Sequence, residues 1–554
     1  VSDASFRPAK ATSSRPRRLG WLLAFLGFFL IIGAWATAAP YDGTPDEQHH
    51  IIRAAGVASG QVMAAPEEHA VRDGGAYQDV PASLIRRPNC FAFHPDQSAT
   101  CSVEPGGDRT VTHVGTAAGR YHPGYYAIVG WPLALWPDWT GILLARLISA
   151  ALCAALLANA LTDAMRWSRF RLMGAGVLAA FTPIAAQMGG AVNPNGVEIA
   201  AGIAFFAAAI PLLFTPAAER SRTLLWHVGV AAFALASLRS AGPVWLAVSA
   251  VALLIPVPWQ RLRRLWQWRP VRWWVLAVGL AAGACAAWTV IFKTNFAGDI
   301  QVGHRSIGQA IRVIGEYWGR YTDELVGVTA WLDVHLPPPV YLIWQFMTAS
   351  LIIWGLVLAN RTGRLRLLAI GLGGVLLPSL MQLSYINTYG LIMQGRYILP
   401  VLAGLPLLAA YLIQQSGLPP EKSRFVLRLF ALLLLPLHLV ALAYTMVRWQ
   451  HGLVPKGGFG SLNPLAGPWH PPLGSVVPLV ASLVGLLAVG WLVWSSRYPA
   501  SPTLDDTEPA GEPERVIAPA PSDEERETPV AVPELVHTVR AQRDGQAGVP
   551  QHTP

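Results

Sequence analysis

The apolar residues of this chain are gathered into repeated runs of about 20, and that spacing leaves few architectures open. A helix rises about 1.5 Å per residue, so one such run crosses the roughly 30 Å hydrocarbon core of a bilayer. Of the 554 residues, 53% are hydrophobic and only 13% charged, whereas a soluble domain carries about 25% charged residues. The composition therefore predicts an all-α integral membrane protein. Runs fall near 19–39, 140–163, 172–191, 195–214, 223–239, 243–258, 274–292, 340–359, 367–384, 397–414, 429–447 and 475–495, or about twelve transmembrane helices.

Alternate loops are basic. Arg166, Arg169 and Arg171, then Arg220 and Arg222, then Arg261, Arg263, Arg264, Arg269 and Arg272, then Arg361, Arg364 and Arg366, and finally Lys422, Arg424 and Arg428 all fall on one side. The positive-inside rule makes that side cytoplasmic, which puts both termini in the cytoplasm of a multi-pass plasma-membrane protein. The net charge of +9 sits largely in these loops, so it does not imply a nucleic-acid partner. The basic start, Arg15 to Arg18, precedes an apolar run too long for the core of a signal peptide, so this run reads as a retained span.

Residues 1–18 read as a disordered cytoplasmic N-terminus, 19–498 as the membrane domain, and the Pro-, Glu- and Asp-rich 499–554 as a disordered cytoplasmic tail. Two large outer loops are expected, 41–120 and 293–339, with a smaller Gly- and Pro-rich one near 448–474. In the second, Ile307, Ile311, Ile314, Trp318 and Tyr321 recur at helical spacing, the pattern of an interfacial amphipathic helix. Tyr121 to Trp136 is too short for a span, and its aromatic flanks suit a second interfacial helix. Four cysteines are too few for a disulfide framework. Cys90 and Cys101 share the first polar loop, and a bridge between them fits a loop outside the cytosol.

Chemistry is concentrated just after the first span. Thr44-Pro45-Asp46-Glu47-Gln48-His49-His50-Ile51-Ile52-Arg53 holds two acids, two histidines and an arginine. It also reads as a helix start, with Thr44 as cap, Pro45 in the first position and the acids against the dipole. Helical spacing then puts Asp46, His49 or His50, and Arg53 on one face. The alternative is simply a capped helix lying on the membrane. Asn193-Pro194-Asn195-Gly196 joins the third and fourth spans, with Asn193 able to cap the fourth and its N-terminus facing outward as an anion site. A tight turn is the plainer reading of Asn193 and Pro194. Glu198 lies about one turn into that span, where an ionisable side chain is a functional candidate. Arg239 and Gln394-Gly395-Arg396-Tyr397 sit at outer span ends, against the charge trend. Their guanidinium forks suit a lipid-linked phosphate, although snorkelling alone also explains an interfacial arginine. Arg305 is a further candidate, and Arg312 reads as the solvated face of its helix.

No metal motif of specific spacing is present. Asp46, His49, His50 and His122 are the residue types that bind a divalent ion, but adjacent histidines point apart on a helix. There is no P-loop and no nucleophile elbow.

Taken together, Thr44-Pro45-Asp46-Glu47 with His50 and Arg53, Asn193-Pro194-Asn195-Gly196 with Glu198, and Gln394-Gly395-Arg396-Tyr397 with Pro400 resemble the domain-of-unknown-function 2142 family of bacterial multi-pass membrane proteins, over roughly residues 20–450. That family resembles the GT-C membrane glycosyltransferases, among them protein mannosyltransferases, oligosaccharyltransferases and lipid A aminoarabinose transferases. The resemblance implies a GT-C-like fold with first-loop interfacial helices near 45–60 and 121–136. It implies a polyprenyl-phosphate-linked sugar as donor and a glycan, lipid or protein of the envelope as acceptor. It implies Asp46 as the activating base with Glu47 beside it, and Arg396, with Arg239 or Arg53, on the leaving phosphate. No cofactor is implied with certainty, and a divalent metal is possible because some GT-C enzymes need one. A transporter or flippase of lipid-linked glycans and a non-catalytic envelope assembly protein are the competing readings.

Overall fold

The computed structural model describes residues 15–63, 75–85, 89–294, 302–453 and 459–495. The expected N-terminal stretch up to 14, the 499–554 tail and part of the second outer loop, 295–301, lie outside the described residues.

Helix α1 (Arg15–Ala38) leads into the first large loop. That loop carries α2 (Glu47–Ala58), a hairpin of β1 (Ala76–Pro81) and β2 (Val111–Thr116), and two short helices, α3 (Pro123–Val129) and α4 (Trp131–Leu135). The hairpin is antiparallel, with Ala76 opposite Thr116 and Pro81 opposite Val111. Then follow α5 (Trp139–Trp167), α6 (Met173–Ala180), α7 (Pro183–Gly189), α8 (Pro194–Phe214), α9 (Arg222–Leu238), α10 (Gly242–Leu254), α11 (Trp259–Gln267) and α12 (Arg269–Ile291). The second large loop holds α13 (Ile307–Val326) and a two-residue hairpin of β3 (Val328–Thr329) and β4 (Val334–His335). The chain continues through α14 (Pro338–Leu358), α15 (Arg361–Tyr389), α16 (Leu399–Leu402), α17 (Gly404–Gln415), α18 (Pro420–His451) and α19 (Val476–Trp494).

The fold is predominantly helical, and among the described residues eight helices are long and apolar enough to cross a membrane. This differs from the expected twelve for identifiable reasons. The run at 172–191 is broken between α6 and α7, where Pro183 removes a backbone donor and holds Thr182 extended (φ −87°, ψ 164°). The run at 397–414 opens as a short 3₁₀ turn, Gly395–Tyr397, and reaches helical geometry in two pieces, α16 and α17. Helices α9 and α10 have 17 and 13 residues, so α10 is about 20 Å long and short of the hydrocarbon thickness.

The core is built by α1, α5, α8, α17 and α18. Trp35 and Trp449 meet edge to face at 6.4 Å between centroids, and Phe28 meets Phe181 in the same way at 5.1 Å. Gly130, between α3 and α4, marks the docking of α2 on this layer. A Cβ there would come within 2.3 Å of the Ala54 carbonyl oxygen, so no larger residue fits without moving α2. Helix α13 is amphipathic, as its spacing predicts, and starts with a Ser306–Gln309 capping box. Its buried face, Ala310 and Ile314, packs against Ile386 of α15 rather than facing lipid alone. Arg312 is on the open face, paired with Glu316.

The first loop is fastened to the membrane layer by buried polar contacts. Cys90 and Cys101 form a disulfide. The turn they enclose offers the carbonyls of Phe91, His94 and Gln97 to Arg448 of α18, which also pairs with Asp333 at 2.8 Å. Glu47 and Arg146 make a bidentate pair, Nε to Oε1 at 2.7 Å and Nη2 to Oε2 at 2.6 Å, with both side chains fully buried. Removing one member leaves the other charge buried and uncompensated, which costs about 3–5 kcal/mol. Arg146→Ala is therefore expected to lower stability by about that amount, read as a fall in unfolding midpoint in detergent. The pair Glu47→Gln with Arg146→Met is expected to lose much less than Arg146→Ala alone.

Candidate active site

The ends of α8, α9, α10, α12 and α15 and the 3₁₀ turn before α16 converge beside α2 and the loop preceding α3. They enclose a cleft of about 540 Å³ lined by Asp46, His50, Asn193, Arg239, Arg396 and Tyr397, with Trp288, Tyr385 and Tyr389 on its outer walls. The volume lies in the range of small-molecule sites.

Asp46 is the one acid lining this cleft among the described residues. It is the N-cap of α2, in the left-handed conformation (φ 64°, ψ −2°), and its side chain makes no capping bond. Aspartate tolerates that conformation better than most residues. The helix thus begins at Glu47, and the expected start with Thr44 as cap and Pro45 in the first position is not what forms. The result is a carboxylate turned off the helix axis, with 48% of the side chain exposed. Arg396 donates to it from Nη2 at 3.1 Å. Burial raises the carboxyl pKa, but the Arg396 charge and hydrogen bond outweigh it and hold the group below its ordinary value.

Arg396 is itself buried, 1% exposed. Its Nε donates to Gln394 at 2.6 Å and its Nη1 faces the Met188 thioether. Its guanidinium carbon lies 5.0 Å from the Tyr397 ring centroid, and that of Arg239 lies 4.6 Å from the same ring. Tyr397 is therefore a shared platform that brings two cations to one cleft. Arg239 is anchored from behind by Glu198, at 3.1 Å. Glu198 also accepts from Asn195 at 3.2 Å. Burial works against the Arg239 charge, but Glu198 overrides it and pushes the guanidinium pKa up.

The structure separates several residues that the sequence grouped. Glu47 is committed to Arg146 and to the Val192 amide at 3.1 Å, so it does not stand beside Asp46 as a second acid. Arg53 points away from the cleft and donates to the carbonyls of Gln61, Val62 and Tyr121. Asn195 and Glu198 are fully buried behind the cleft wall. The start of α8 is not an open anion site, because the Asn193 side chain accepts the Asn195 amide at 3.0 Å and the Val192 amide is taken by Glu47. Arg305 contacts Asn387 through its backbone and does not line the cleft.

His50 lines the cleft and shares a 2.8 Å hydrogen bond between Nδ1 and the Tyr126 hydroxyl. Burial pushes its pKa down from 6.5 to about 3, so it is neutral at physiological pH. Tyr126, Arg146 and a partly buried Asp163–His227 pair at 2.7 Å on the far side of the layer were not signalled by the sequence, because each partner lies on a different element. Arg146 alone had a local cue, a single cation inside an apolar span.

Among the described residues there is no group of three or more His, Cys, Asp or Glu side chains that could hold a metal ion. Asp46 is held by Arg396, and His49 Nδ1 accepts the Ala117 amide at 3.3 Å.

The family model for predicted membrane protein DUF2142 matches residues 28–405. The chain belongs to the DUF2142 family. No curated protein sequence matches it. Two crystal structures of ArnT from Cupriavidus metallidurans are similar in fold to this DUF2142 protein. The one bound to undecaprenyl phosphate covers 87% of this chain and 78% of its own at 14% identity and a TM-score of 0.40. The apo form covers 86% and 78% at 14% identity and 0.39. A likeness at that level gives no residue correspondence.

The His50 shift has a definite sign. The fold favours neutral His50, so the unfolded chain takes up a proton below about pH 6.5 that the folded chain refuses until about pH 3. Stability from this group is present above 6.5 and lost as pH falls through that window. His50→Gln is expected to flatten the decline of the unfolding midpoint between these limits, measured in detergent across a pH series.

Proposed function

We propose that this protein is a glycosyltransferase of the plasma membrane that moves a sugar from a polyprenyl-phosphate donor to an extracytoplasmic envelope acceptor, with both termini cytoplasmic. The observation that carries the reading is the Asp46–Arg396 pair at the wall of the cleft, with Arg239 on the same tyrosine platform. The resemblance of the three motifs to the DUF2142 family, which itself resembles the GT-C enzymes, supports it.

In this reading the acceptor hydroxyl attacks the anomeric carbon of the donor. The bond from that carbon to the phosphate oxygen breaks, and the proton passes to Asp46. The leaving polyprenyl phosphate gathers negative charge, and Arg396 and Arg239 are the cations placed to stabilise it. A carboxylate held far below neutral pH is a poor base. A donor phosphate competes for Arg396, draws it off Asp46 and restores the basicity of the carboxylate when substrate is present. Arg396 is suited to that exchange because its Nη1 rests on a thioether, a weak acceptor that an incoming oxyanion displaces readily.

The test is transfer from radiolabelled polyprenyl-phosphate sugars to an envelope fraction in membranes carrying wild-type or variant protein. Asp46→Asn is expected to reduce transfer by about 10²–10⁴ with unchanged expression. Transfer at the wild-type rate removes Asp46 from the mechanism and favours transport or assembly. Arg396→Gln is expected to raise the donor concentration needed for half-maximal rate, and an unchanged donor dependence places the phosphate elsewhere.

A further inference from the structure

The far end of α12 has a surface that the cleft does not use. Its first turns divide into two faces. Trp268, Val271 and Trp274 pack inward against the cluster of Trp167, Leu212, Leu224 and Leu225. Arg269, Arg272, Trp273 and Leu276, spaced three or four apart, line a groove of about 280 Å³ on the opposite face. Trp273 is 69% exposed and Leu276 50%. About 28 Å of helix separates Arg269 from Trp288 at the cleft, so this groove and the cleft lie at opposite ends of one span.

The charge around the groove is one-sided. From Trp259 to Arg272 there are five arginines, three tryptophans and no acid. Arg264 is paired with Glu219 at 2.9 Å. Arg269 and Arg272 have no carboxylate within ion-pair distance among the described residues. In preceding α11, Arg261 holds Nε and Nη2 buried without a hydrogen-bond partner. Trp259 and Trp266 are 75% and 54% exposed, where interfacial tryptophans belong. Along α12 the order is two guanidinium groups, then an indole, then an aliphatic side chain, which is the order of a phosphate, a glycerol backbone and an acyl chain entering the bilayer.

We propose that the groove of Arg269, Arg272, Trp273 and Leu276 is a binding site for one anionic phospholipid, its phosphate on the two guanidinium groups and its acyl chain along Leu276. The site matters to the cleft because α12 carries Cys285, Trp288 and Thr289 in the cleft wall, while only 6% of its span is buried in the protein. A lipid bound at its base supports a helix that the protein itself grips on one side only. The inference concerns binding and does not depend on the proposed transfer activity.

The experiment is native mass spectrometry of the purified full chain, titrated with phosphatidylglycerol or phosphatidylcholine. Retained phosphatidylglycerol is expected to exceed phosphatidylcholine, and Arg269→Gln with Arg272→Gln is expected to cut its retention roughly twenty- to thirtyfold, about fivefold per cation. Arg361→Gln with Arg364→Gln is the control, since the Arg364 donors are already taken by the carbonyls of Leu356 and Val357. It is expected to leave retention within about twofold of wild type. An equal unfolding midpoint in zwitterionic detergent shows that the groove variant folds. Equal retention in the groove variant, equal binding of both lipids, or displacement by millimolar inorganic phosphate overturns the proposal.

Discussion

The candidate site depends on one buried guanidinium. Arg146 donates through all three of its nitrogens: to both Glu47 oxygens, and to the carbonyls of Ala36, Ala39 and Pro40 at the end of α1. Glu47 completes the arrangement by accepting the Val192 amide just before α8. One ion pair therefore joins the end of the first span, the start of α2, the early turns of α5 and the turn into α8. Desolvating two charges is expensive, and it is tolerable only where the buried groups find partners, as here, where both Glu47 oxygens accept hydrogen bonds. The consequence for the site is positional. With α1 and Glu47 both fixed, residues 40–46 close as a tight turn, and Asp46 takes the left-handed conformation that faces its carboxylate toward Arg396.

The arginines of this end of the molecule divide by the kind of acceptor that holds them. Arg146, Arg53 and Arg448 are held chiefly by backbone carbonyls and buried carboxylates, so an incoming anion would have to displace strong acceptors. Arg396 is held by an amide oxygen, a thioether and a half-exposed carboxylate, and Arg239 by a single carboxylate and a ring face. The sequence pointed to Arg53, Arg239 and Arg396 alike. Only the last two line the cleft, and they are the two that a phosphate would reach.

The membrane class, most of the long helices and the first-loop helices were legible because each is a local pattern: a run of apolar residues, a period of 3.6, a capping signal. Asp46, Arg239 and Arg396 were legible as candidates because a charge at a span end departs from a strong background. What stayed hidden was pairing. Glu47 and Asp46 are neighbours of the same charge, and nothing in the residue order shows that one meets an arginine 99 positions away while the other faces the cleft. The same is true of His50 with Tyr126, and of Glu198, whose role passes through Arg239. The β1–β2 hairpin was missed because its six-residue strands sit inside a Pro- and Gly-rich stretch, where short alternation is weak against the turn signals. The number of long uninterrupted helices falls below the number of apolar runs where a proline interrupts a run without changing its hydropathy, as at Pro183.

Those interruptions are part of how the cleft exists at all. A continuous helix through 172–191 or 395–415 would satisfy its own backbone and present only side chains to its neighbours. Broken at Thr182 and again around Ile398 and Ala403, these segments turn short helical ends toward the loop side. Gly202, whose Cβ would lie 2.3 Å from the Pro400 carbonyl oxygen, lets α16 press directly against α8. That contact sets Arg396 and Tyr397 beside the start of α8 and within reach of Met188 at the end of α7. A larger side chain at 202 would push α16 outward and carry Arg396 away from Asp46. The pairing at the centre of the site thus depends on a glycine in the membrane layer as well as on the charges themselves.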